Sequence, residues 1–114
     1  MLTMLSTGQL TRDLSIRDLT DPSAGPHAIQ LIIDGAVRAL ASHWGCQVRW
    51  GRGDRIVPVA DNYDLLGYDP VAVTREARYS RYVDARRMLR SHSSALIPPA
   101  LRALAAEPAD DVLL

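Results

Sequence analysis

Residues Ser91, His92, Ser93 and Ser94 set an imidazole among three hydroxyls, directly after Arg86, Arg87 and Arg90 and shortly before the paired prolines Pro98 and Pro99. Hydroxyl and imidazole groups both donate and accept hydrogen bonds, so such a run suits a small polar ligand. The simpler role is capping, because Ser and His beside a helix start satisfy its first N–H groups. The arginines raise a second chemistry. Every basic residue is Arg, and six of the thirteen (Arg75, Arg78, Arg81, Arg86, Arg87, Arg90) fall between positions 75 and 90, opposed there only by Glu76 and Asp84. The planar guanidinium fork fits a carboxylate or a phosphate. The same run fits a solvated surface laced with salt bridges equally well.

Other chemistries are disfavoured. Thirteen acidic and thirteen basic residues cancel, which removes any global attraction to nucleic acid or an anionic membrane. His27, His43 and His92 are too scattered to argue a metal site, and the single Cys46 cannot make an internal disulfide. No apolar run approaches the roughly 18 residues that span a bilayer, and the first residues carry no secretory pattern, so a cytoplasmic protein with no membrane contact is expected. At 114 residues the chain is one domain or part of one.

The elements that would position these residues follow from periodicity. Residues 1–20 carry only a weak amphipathic signal and form an extension, 1–24. From Pro26 to Trp44, Ile29, Ile32, Ile33, Ala36, Val37, Leu40 and Trp44 recur at spacings of three and four, which predicts a helix stopped by Gly45. Its Ile29, Ile33, Val37 and Leu40 face is expected to be buried on a sheet or on a second subunit. Gln47–Trp50 and Arg55–Val59 around the turn "GRGD" predict a hairpin, with Pro58 at an edge. Residues 62–84 predict a long ordered loop, "SALIPPALRALAAEP" a helix with its prolines in the first turn, and "DVLL" the start of a strand.

This order of elements, with "MLRSHSSA" at Met88 to Ala95, resembles the catalytic domain of class II aminoacyl-tRNA synthetases, most closely the alpha-subunit type of phenylalanyl-tRNA synthetase and its phosphoseryl and pyrrolysyl relatives. The family's Leu-Leu-Arg-Thr-His-Thr-Ser-Pro block is followed here with Ser in place of each Thr. Asn62-Tyr63 is similar to the family's Asn-Phe, and Arg75 and Tyr82 match single positions of its Pro-Ala-Arg-Asp and Asp-Thr-Phe-Tyr segments. Pro58 is similar to the proline closing the family's first motif, whose helix builds a dimer interface.

The resemblance covers residues 25–114 and implies an α+β fold, a class II antiparallel sheet flanked by helices. That fold is incomplete here, because the family's Arg-x-Glu strand pair and its Gly-rich third motif are not in this sequence. It implies an ATP-dependent ligase lineage in which His92 and Ser94 help bind the amino acid, Arg90 or Arg75 steadies an anion, and ATP and Mg2+ serve as cofactors. Amino acid and ATP would be its ligands, with tRNA left open as a further partner. The 26–44 helix would join a homodimer or hetero-oligomer. The expected consequence is a front part of a synthetase-like domain, inactive by itself. The rival expectation is a noncatalytic module that uses the apolar helix to dimerise or to join a larger subunit.

Overall fold

The computed structural model describes residues 3–114, and the fold is mixed α+β. In chain order the elements are α1 (Thr7–Leu14), α2 (Ala28–Trp44), β1 (Gln47–Val48), β2 (Ile56–Pro58), α3 (Val59–Asn62), β3 (Arg87–Leu89), α4 (Ile97–Ala106) and β4 (Val112–Leu113). Short 3-10 turns lie at Pro22–Ala24, Asp64–Leu66, Val73–Arg75 and Ser93–Leu96. Contacts gather these elements into two units: the N-terminal residues through Leu14 with Gly51–Pro108, and Ser15–Trp50 with Ala109–Leu114.

The first unit is organised by a hairpin that sequence reading misses. Asp84 accepts from the backbone N–H groups of Arg86 and Arg87, both at 2.8 Å, which reverses the chain. The flanks then pair, Val83 N–H to the Arg87 carbonyl at 2.9 Å and Leu89 N–H to the Arg81 carbonyl at 2.9 Å. On its other edge β3 pairs antiparallel with β2, Val57 opposite Met88. Met88 therefore lies between Val57 and Tyr82, and with Tyr63 these form the core, Met88 being fully buried. Pro58 closes β2 and leads into α3, and Val59 N–H returns to the Arg86 carbonyl at 2.8 Å.

Helix α1 rests on a capping box: Gln9 N–H donates to Ser6 Oγ at 3.3 Å, and Ser6 N–H to Gln9 Oε1 at 2.9 Å. Arg81 Nε holds Asp13 of this helix at 2.5 Å. The turn at residues 51–55 is fixed by Arg90, whose Nη1 donates to the Arg52 carbonyl at 2.6 Å and whose N–H donates to the Arg55 carbonyl at 2.7 Å. Gly53 sits there at φ 58°, where an added Cβ would run into Leu96. Gly53→Ala is accordingly expected to lower stability by about 1–2 kcal/mol, seen as an earlier urea midpoint with unchanged slope. An unchanged midpoint would show that this turn does not hold its glycine conformation.

The second unit contains α2, which begins two residues later than Pro26 suggests. His27 is the cap, its Nδ1 accepting from Ile29 N–H at 3.1 Å, because an extended residue with a side-chain acceptor is needed before the first turn. Gly45, at φ 63°, ends the helix as expected. The expected hairpin between 47–50 and 55–59 is not formed. β1 instead pairs in parallel with β4, Gln47 opposite Val112 and Val48 opposite Leu113, while β2 takes β3. Each strand found a partner remote in sequence, which local turn signals cannot reveal.

Of the two expected sites for the α2 stripe, a sheet of this chain or a second subunit, the first is not formed. Ile29 and Leu40 are exposed, Ile33 and Val37 only half-buried, and the one buried side chain on the helix is Gln30, which donates to the Asp34 carboxylate. No apolar residue of this unit is among the described buried core, all of which lies in the first unit.

Candidate functional site

Strand β3 delivers the Ser-His-Ser-Ser run to the start of the Ser93–Leu96 turn, where His92 stands at the cap position in an extended conformation with no capping hydrogen bond from its side chain. The ring is instead held by its surroundings. Ser94 Oγ and His92 Nδ1 lie 2.7 Å apart, so those two expected site residues do meet. The preceding Ser91 is clamped from both sides by the buried Asn62 at the end of α3: Ser91 N–H donates to Asn62 Oδ1 at 3.2 Å, and Asn62 Nδ2 donates to Ser91 Oγ at 2.9 Å. Two bonds to one amide fix the backbone on which His92 turns.

Around the imidazole stands an aromatic group. Tyr68 is stacked on it, with centroids 5.9 Å apart and planes 9° apart, and Tyr63 meets it edge-on at 6.1 Å. Tyr63 and Tyr68 meet each other at 5.0 Å and 63°. Tyr63 is buried, its Oη 2.8 Å from the Thr74 carbonyl and 2.5 Å from Ser80 Oγ. Behind it, Tyr82 Oη donates to the Arg75 carbonyl at 2.5 Å.

The expected anion-binding arginines are occupied otherwise. Arg75 lies 4.9 Å over the Tyr63 ring, donating from Nε to the Asp69 carbonyl and from Nη2 to the Tyr68 carbonyl, with an ion pair to Asp64 at 2.8 Å. It straps the 63–75 loop. Arg90 straps the 51–55 turn from outside the aromatic group. Arg78, Arg81 and Arg87 pair with Glu76, Asp13 and Asp84. Of the two surfaces open in the sequence, the structure therefore builds the salt-bridged one along this run. Among the described residues no three His, Cys, Asp or Glu side chains converge to hold a metal ion. With Arg75 and Arg90 bonded to main-chain carbonyls, neither of these two guanidinium groups is presented to a phosphate.

Beside the cluster, Val59, Ala72, Arg75, Glu76 and Tyr82 line an open cleft of about 370 Å³. Tyr82 is buried, and burial pushes its phenol up from the ordinary value, against a weaker downward pull from the Ser80 hydroxyl, with the Tyr63 phenol adding a little upward and the Arg75 charge a little downward. A folded-state pKa raised above the unfolded one gives stability that is whole below the unfolded value and is lost as pH rises through the folded value. The melting temperature is thus expected to fall more steeply above about pH 10 in the wild type than in Tyr82→Phe. At neutral pH the variant should lose about 1 kcal/mol with its bond to Arg75. Parallel melting curves across the alkaline range would remove Tyr82 from this account.

Tyr68 and Ser80 complete the site beyond the residues the sequence singles out. A tyrosine directly after Gly67 is the one local signal for them. Comparison with protein families, curated proteins and solved structures found no match.

Proposed function

We propose that this chain is an aminoacyl-tRNA synthetase-like protein of class II, resembling the phenylalanyl-tRNA synthetase alpha-subunit, and that it carries the amino-acid-binding front of that domain. One observation carries the reading. The patches that resemble the family, Asn62-Tyr63, Arg75, Tyr82 and Ser91 to Ser94, are dispersed over thirty positions of sequence and meet in one connected cluster. Chance matches in short motifs have no reason to touch. In this reading His92 and Ser94 face the amino acid, Asn62 and Ser91 position them, and Arg75 acts as a positioning residue. A class II-type sheet, a cytoplasmic setting and tRNA as acceptor belong to the same proposal, whereas ATP with Mg2+ would need a grip that Arg75 and Arg90 do not supply here.

The chain by itself is expected not to form an aminoacyl-adenylate, because preorganised positive charge at the phosphates supplies most of the catalysis in such sites, and Arg75 and Arg90 are bonded to main-chain carbonyls instead. Saturation-transfer NMR against each proteinogenic amino acid should find one that binds, with affinity at least about tenfold weaker in His92→Ala. Isotope exchange between pyrophosphate and ATP should stay at background. Failure to bind any amino acid would sink the assignment, and exchange by the short chain would sink the missing-grip argument.

A second reading is favoured by a different observation: a noncatalytic module that self-associates through α2. On this helix Ile29, Ile32, Leu40 and Trp44 are exposed, Ile32 by 70%. The exposed arc also holds Ala36, with Ile32 one turn before it and Leu40 one turn after, and no charged residue. Two antiparallel copies crossing at Ala36 would set Ile32 of each against Leu40 of the other, which a symmetric interface requires. The two readings are compatible, since an amino-acid-binding chain can also dimerise.

A further inference from the structure

The imidazole of His92 holds one nitrogen in use and one in reserve. Nδ1 is bonded to Ser94, whereas Nε2 is buried and has no hydrogen-bond partner among the described residues. A buried polar atom left without a partner is uncommon in folded proteins and calls for a reason. Two aromatic rings stand against the imidazole: Tyr63 edge-on and Tyr68 parallel to it and offset, its centroid 5.9 Å away. These two tyrosines differ in what holds them. Tyr63 is 2% exposed and bonded through its hydroxyl, so it is a wall. Tyr68 is 38% exposed.

The main chain of Tyr68 is fixed on both sides, its N–H donating to the Tyr63 carbonyl at 3.2 Å and its carbonyl accepting from Arg75 Nη2 at 2.9 Å. Gly67, at φ 78°, makes the reversal that brings it there. Only the side chain is left to move, and half-exposed side chains change rotamer quickly without unfolding anything.

We propose that Tyr68 is a built-in plug: its ring occupies the place on His92 that a ligand takes, and rotation of that side chain uncovers Nε2. The inference deepens the reading above, since it takes His92 as the residue that faces the ligand, but it is tested with no ligand at all. The probe is diethyl pyrocarbonate, which acylates accessible imidazole nitrogen, with N-acetylhistidine in the same tube as standard and peptide mass mapping to follow His92.

In the wild type His92 should react at least about tenfold more slowly than the standard, the reactive form being a minor open state. Tyr68→Ala should bring it to within about threefold of the standard, and Tyr68→Phe, which keeps the ring, should stay slow. Should Tyr68→Ala lose the near-ultraviolet signal of the folded chain, Tyr68→Val is measured in its place. A wild-type His92 as fast as the standard overturns the plug without any variant. A folded Tyr68→Ala in which His92 stays slow overturns it too, and a fast Tyr68→Phe would assign the protection to the hydroxyl instead of the ring. None of these outcomes depends on whether an amino acid binds, so the plug and the synthetase-like assignment can fail separately.

Discussion

Tyr63→Ala is expected to destabilise the protein by about 3–5 kcal/mol, enough to leave much of a marginal domain unfolded at room temperature. The side chain is 2% exposed and belongs to a core of four residues, with Val57, Tyr82 and Met88, so few neighbours can close over the gap. Its ring also supports both Tyr68 and His92 and underlies the Arg75 guanidinium, and its hydroxyl joins Ser80 and the Thr74 carbonyl. Tyr63→Phe separates the two contributions. It keeps the ring and removes the hydroxyl, and should cost only about 1–2 kcal/mol. Urea denaturation followed by tryptophan-independent far-ultraviolet dichroism measures both. A loss below 1 kcal/mol for Tyr63→Ala would mean that the aromatic cluster is not part of the cooperative core.

Ile32→Asp should have the opposite profile, a large effect on association with little on folding. Ile32 is 70% exposed within the chain, so a charge there meets water in the monomer. In a dimer built across Ala36 it would meet Leu40 of the other copy, and an unpaired carboxylate in an apolar interface costs several kcal/mol. Even about 3 kcal/mol weakens the dimer more than a hundredfold. Sedimentation equilibrium should therefore find the wild type dimeric and Ile32→Asp monomeric at the same concentration, with Ile32→Val unchanged. A monomeric wild type at high micromolar concentration would dispose of self-association through α2 and leave the exposed stripe unexplained.

What could be seen in the sequence was what is locally written. The α2 period and its Gly45 stop are set within one segment, so the helix was legible, and the error at its start came from preferring Pro26 over the less familiar cap of His27. Pairing was not legible. The turn "GRGD" suggested that its two flanks meet, yet β1 and β2 go to strands elsewhere, and the hairpin that does form turns on Asp84, within a stretch where charge hid the alternation. At the site, the Ser-His-Ser-Ser run was conspicuous because an imidazole and three hydroxyls stand together between an arginine cluster and an apolar run. Tyr68 was invisible because a single aromatic in a loop has no period, and its meaning comes only from the ring beneath it. The arginine run left two surfaces open in the sequence, and the decision depended on Asp13 and Asp64, which lie outside that run.

The pairing of β1 with β4 also sets an order of events in time. As the chain leaves the ribosome, α2 and Gln47–Val48 emerge early, and Val112–Leu113, the partner strand, emerges late. Until then an apolar helix and an open strand edge coexist on a nascent chain, the combination that invites pairing with another molecule. The wait itself costs little equilibrium stability, because loop-closure entropy grows only logarithmically with length. Its weight falls on kinetics: the first unit can close around Met88 while the second is still unfinished, so yield during synthesis should depend on how soon residues 109–114 follow.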